Sequence, residues 1–235
     1  MSIEGIFIAP SASMPMQSVA EGTLIPGKGI EGDRYCNFTG TYSVLRISKR
    51  KPGHREPGRQ LTLLSAESVE AALDRAGLSR PSSLGDIRRN IVIRGISSGK
   101  LLAAAGRVVR IGQACRVLIH RHTVPCMYNE RKNRIPGMTE AIWNDSGVSC
   151  EVLRGGAFRV GDSVEITEEK REIDDGNQPP GYYISPSQRT AHMVKSALEI
   201  NREKKMEYLK VDPVGVERVD ASYGTVGLKF WPNEK

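Results

Sequence analysis

Cysteine, histidine and arginine crowd into one stretch of this 235-residue chain, HRHTVPCMYNERKNR, with Cys126 near its centre. Positive charge at His120, Arg121 and His122 would lower the pKa of a neighbouring thiol. The thiolate is the form that ligates soft metals or accepts a sulfur atom. The apolar run just before it, CRVLIH, has the composition of a strand. Pro125 and Cys126 should then lie on a loop at the edge of the domain. A half-buried packing cysteine is the plain alternative, and local charge alone leaves both readings open.

The chain has three other cysteines. Cys36, in GDRYCNF, also sits close to a positive charge, Arg34, and is a weaker rival. Cys115 lies inside a predicted strand and Cys150 opens one, so both read as core residues. No C-x-x-C pair suggests structural zinc, and with no secretory signal a disulfide framework is not expected. No H-E-x-x-H or G-x-S-x-G occurs, and the four histidines show no metal-ligand spacing. Cys126 with His122 would suit a thiol hydrolase, but no third, orienting residue can be chosen from sequence.

Glycine and arginine recur together ahead of strands. KGIEGDRY sets Gly29 and Gly32 before Asp33 and Arg34; GRQLTLLS brings Arg59, Gln60 and Thr62 to the start of another strand; GDIRRNIVIRG sets Gly85 and Asp86 before Arg88, Arg89 and Asn90. Glycine permits close backbone approach, and arginine offers a fork of donors matched to phosphate oxygens. None has the spacing of a P-loop or a dinucleotide fingerprint. Singly each is a turn with surface charge; three in one domain suggest an anion site. For Asp86 and Asn90, turn capping is an equal alternative.

The elements that must position these residues are mostly strands. IEGIFIA, SVAEGTLI, RQLTLL, RNIVIRG, RVVRIG, CRVLIH, CEVLRGG and DSVEIT are short, β-branched and flanked by turn residues. Gly112 and Gln113 form the turn between RVVRIG and ACRVLIH. A helix is predicted over Ala66–Ala76, with Ser65 as N-cap and Gly77 as its stop. A second, long helix is predicted near Gln188–Leu209, and VGVERV and GTVGLKFW as two short strands after it. The Pro-, Gly- and Ser-rich run at 174–187 is a linker. The expected organisation is a mainly β, barrel-like domain over 1–173, the linker, and a helical and strand appendage over 188–235.

Composition narrows the partners. The apolar fraction of 39% supports a core, and no apolar run is long enough to span a bilayer. A cytoplasmic, soluble protein is the default expectation. The net charge of +7 is uneven: Arg46–Arg59 and Arg107–Arg134 are basic, while acids collect in Glu165–Asp175. That asymmetry favours an anionic partner, although Pro- and Gly-interrupted basic runs are often plain loops. Aromatic residues make up only 6%, so a nucleic-acid module is not expected.

In order, the segments GIEGDRY, GRQLTLLSAESVEA, LGDIRRNIVIRG, IGQACRVL, VPC and FRVGDSVEI resemble the MOSC family, named for the C-terminal domain of molybdenum-cofactor sulfurases. The resemblance runs from Gly29 to Ile166. It implies a distorted β-barrel and makes Cys126 the family's shared cysteine. In the family's reductase branch this thiolate ligates molybdenum of a molybdopterin (pyranopterin) cofactor, and N-hydroxylated compounds are reduced by two electrons. In the sulfurase branch sulfur would ride on the cysteine as a persulfide. Arg34, Arg59, Arg88, Arg89 and Asn90 are then candidate contacts to the anionic pterin, with Arg121 and His122 beside the metal. Residues 129–148, with Trp143, match no family pattern and are expected at the substrate entrance. The substrate-recognition barrel of larger reductases and a ferredoxin-like cysteine set are not apparent. Electrons, or sulfur, would come from a separate donor protein. The C-terminal appendage is expected to cover the domain, form a homodimer or dock that donor.

Overall fold

The computed structural model describes residues 1–37, 39, 57–123, 125, 127–171 and 173, and the backbone of two short strands beyond them. The predicted linker and long helix, and Cys126 itself, lie outside the described residues.

Eight strands make one curled sheet in the order β11-β7-β8-β9-β5-β6-β1-β2. In chain order they are β1 (Ser2–Ile8), β2 (Gln17–Val19), β5 (Leu61–Ser65), β6 (Ile91–Arg94), β7 (Arg107–Ile111), β8 (Cys115–His122), β9 (Val148–Arg154) and β11 (Val164–Lys170). All neighbours are antiparallel except β5 and β6, whose parallel pairing needs a crossover. That crossover contains the predicted helix, α1 (Ala66–Arg75). The sheet curls into half a barrel until β1 meets the start of β11. Ile3 N donates to Asp162 O at 2.9 Å, and Val164 N to Met1 O at 2.9 Å. A smaller sheet, β10-β3-β4, combines β3 (Glu21–Ile25), β4 (Gly29–Ile30) and β10 (Gly156–Arg159). The fold is mainly β and barrel-like, as expected. Beyond it, β12 (Val219–Asp220), which shares only Val219 with the predicted strand VGVERV, pairs with β13 (Lys229–Phe230), inside the predicted GTVGLKFW.

Alternation along the strands divides the core in two. Leu61, Leu63, Ile91, Ile93, Val117, Ile119, Val148, Cys150 and Val152 fill the concave side, joined by Leu24, Ile30 and Phe158 of the small sheet. On the opposite face Leu64 and Val92 pack against Val69 and Leu73 of α1 and Met138 and Ile142 at α4 (Met138–Ala141). Ser65 caps α1 as predicted, its hydroxyl accepting from Ser68 N at 3.2 Å. The region around Pro81 folds further than a loop: Leu84–Ile87 is a 3-10 turn held by a capping box between Ser83 and Asp86. Helices α2 (Ser98–Ala103) and α3 (Met127–Asn133) were not legible as periodic runs, being too short to display a face. Among the described residues no helix is long and apolar enough to cross a membrane.

Candidate functional site

Strand β8 departs from plain alternation just before the cysteine loop. Ile119 is opposite Cys150, yet Arg121 is opposite Ser149, so His120 is one residue too many for the ladder. Val117 and Ile119 face the core, and continued alternation would have sent Arg121 there too. The bulge instead sets it across from Ser149, whose neighbours Val148 and Cys150 are the core-facing ones. Ser149 is in turn opposite Thr62 of β5, and the Thr62 hydroxyl donates to Asn90 Oδ1 at 3.0 Å. Asn90, just ahead of β6, and Thr62, Ser149 and Arg121 on β5, β9 and β8 therefore form one polar row. Thr123 extends it, its Oγ1 lying 2.7 Å from Ser149 Oγ.

Both histidines of the motif are buried and engaged. His120 Nε2 lies 3.1 Å from Glu151 Oε2. Its ring also packs under Gly58, where a Cβ would come within 2.6 Å and φ is +71°. His120 thus has a structural setting that its sequence context did not reveal. His122 Nε2 is 3.1 Å from Ser146 Oγ, and its ring meets Trp143 edge-on at 6.5 Å. Arg121 is buried beside them at the strand end. Arg121 and His122 thus stand together where β8 runs toward Pro125.

The candidate cofactor contacts separate into three settings. Arg34 is buried; its guanidinium is 3.3 Å from Asp33 Oδ1 and 4.4 Å above the Tyr35 ring. Arg88, in the left-handed region at φ +64°, sends Nη1 to Met14 O at 2.7 Å. Burial, and then the Arg34 charge, pull its pKa below the usual guanidinium value, so two cations face one region. Arg89 turns the other way and ties the sheet to the segment ahead of β9, donating from Nε to Ser146 O at 2.7 Å. Asn90 is fixed by Thr62 and by donation to Phe7 O at 3.3 Å. Arg59 is half-buried on the segment that packs over His120.

Cys115 and Cys150 are core residues, as expected. Burial pushes both thiols up, and Cys115 Sγ also donates to Gly156 O at 3.2 Å. Cys36 is buried, two residues after Arg34. Among the described residues no three His, Cys, Asp or Glu side chains gather as a metal-ion site.

A family model described as "MOSC domain" matches residues 50–165. The chain is a MOSC-domain protein. The family is associated with the molybdenum cofactor. Two solved structures share the fold. The YuaD protein of Bacillus subtilis is 19% identical, with a TM-score of 0.55 over 69% of this chain and 93% of that one. YiiM of Geobacillus stearothermophilus is 17% identical, with a TM-score of 0.53 over 83% of this chain and 90% of that one. No curated protein matches the chain in sequence.

The MOSC match spans the polar row, the β8 bulge and Cys126, and leaves Arg34 outside. Sequence reasoning did not single out Ser146 and Ser149, or Lys132 and Arg134. The serines gave no motif, because their roles depend on strand register. The two cations stood in the quoted run YNERKNR but were not separated from ordinary helix-end charge.

Proposed function

We propose that this MOSC protein binds the molybdenum cofactor at the loop following β8, with Cys126 as thiolate ligand, and reduces N-hydroxylated small molecules. The observation that best supports it concerns the other thiols. Cys115 and Cys150 are held protonated by burial and Cys36 is enclosed, which leaves Cys126, directly after the buried Arg121–His122 pair. The fixed charge of Arg121 favours a thiolate near it. The donor set fits an anionic pterin. Arg34 and Arg88 concentrate positive charge, Thr62 holds the Asn90 amide in place, and a thiolate is a suitable ligand for a soft metal.

When bound, the cofactor would supply the two-electron redox chemistry. Reduction of N–OH to N–H consumes two electrons and two protons and releases water, so a separate electron-donor protein is required. Arg34, Arg88 and Asn90 would hold and orient the pterin, with Arg59 and Arg89 at its margin. Arg121 would keep the cysteine ionised, and His122, held by Ser146, would fix the wall beside it. The test is molybdenum and pterin content of protein from a cofactor-producing host, in wild type and Cys126→Ser. Near-stoichiometric metal in wild type, lost in the variant, is expected. No metal or pterin in either would overturn the reading, and a persulfide on Cys126 would then favour a sulfur carrier.

A further inference from the structure

A cavity of about 350 Å³ opens between the 13–16 segment, the 79–88 segment and the end of α3. Its volume lies within the range of small-molecule sites. Arg88, Lys132 and Arg134 line it, with Pro15, Met16 and Ile135 as an apolar part of the wall. Among the described residues, none of these three cations is ion-paired to a carboxylate. Arg88 and Lys132 are instead steadied by backbone carbonyls, at Met14 (2.7 Å) and Ser13 (2.6 Å).

The other charges around the cavity are already neutralised or committed. Arg80 is paired with Asp74 at 2.6 Å and with Glu70 at 3.8 Å. Asp86 uses its carboxylate to accept from Ser83 N at 3.2 Å. Counted against the Asp86 carboxylate, Arg88, Lys132 and Arg134 leave a surplus of two positive charges around one small space. Arg88 is half-buried and Lys132 and Arg134 meet it from the exposed rim, and such a cluster of like charge favours a counter-ion. Ser79 and Ser82 add hydroxyls to the wall.

We propose that this cavity binds a phosphate monoester, the anion seated among Arg88, Lys132 and Arg134 and its organic part against Pro15, Met16 and Ile135. Arginine gives the planar fork and lysine the point charge that together suit a tetrahedral dianion. The apolar wall separates this from a site for inorganic phosphate alone. The phosphate could belong to the pterin or to a second molecule, and the chemistry of recognition is the same.

The test is calorimetric titration of the full chain with phenyl phosphate, and with inorganic phosphate at matched ionic strength. Saturable binding is expected, tighter for phenyl phosphate, and weakened about tenfold or more in the double variant Lys132→Gln, Arg134→Gln. Lys170→Gln, which removes an exposed cation elsewhere, should bind as wild type does. Absence of saturable binding would overturn the proposal, as would equal affinity in the double variant or equal weakening in Lys170→Gln. Circular dichroism establishes that the double variant is folded. Pterin content then assigns the source: a fall in the double variant gives the phosphate to the pterin, and an unchanged content to a second molecule.

Discussion

At the scale of single residues, the four cysteines should differ in reactivity in a way set by their surroundings. Burial pushes the Cys150 and Cys115 thiols above the ordinary cysteine pKa, so both should resist modification as the pH rises. Alkylation of the native protein, followed by peptide mass spectrometry, is expected to label Cys126 first and Cys150 only after unfolding. Labelling of Cys150 at the rate of Cys126 would contradict the burial argument. Glycine makes a second prediction. A Cβ at Gly29 would lie 2.2 Å from Gln60 O, with φ at +118°. Gly29→Ala should therefore cost about 2 kcal/mol or more, read as a lower urea midpoint. The core role of Cys115 and Cys150 was legible in the sequence, because one lies inside a predicted strand and the other opens one. The burial of His120 was not: three consecutive polar residues in a strand give no clue to which of them the ladder leaves over.

At the scale of elements, the strands and α1 were legible because alternation and capping are local. Ser65→Ala is expected to destabilise by about 1 kcal/mol through loss of the cap. The assembly of the polar row was not legible, since it depends on how four strands are aligned. Asn90 and Arg121 were chosen for their chemistry, and only register brings Thr62 and Ser149 between them. The bulge at His120 governs that alignment. Deleting His120 would close the bulge and leave Arg121 directly after Ile119, still opposite Ser149 and facing away from the core. That deletion, which loses the same imidazole but keeps the row, should cost no more stability than His120→Ala, and comparing the urea midpoints of the two variants decides it. A markedly lower midpoint for the deletion would mean that the extra residue itself is needed to place Arg121.

At the scale of the whole molecule, surface charge adds a modest pH dependence. The hydrogen bond from Arg94, at 2.8 Å, holds the Glu70 carboxyl below its ordinary pKa. A depressed carboxyl stabilises the fold above its unfolded pKa, and the contribution fades as pH falls through the folded value. Glu70→Gln should therefore lower the urea midpoint slightly near neutrality and by less in acid. Exposure keeps the effect small. Barrel closure has a wider consequence. The first strand is hydrogen-bonded both to β6 and to the residues that open β11, so Met1 and Ile3 depend on partners near residue 162. During synthesis the leading end of the chain would leave the ribosome long before that partner exists. The half-barrel must then wait, one rim open, until nearly all of the matched domain has been made. Maturation is thus timed by the last strand, and a nascent chain halted before β11 should present an unsealed edge that a chaperone can recognise.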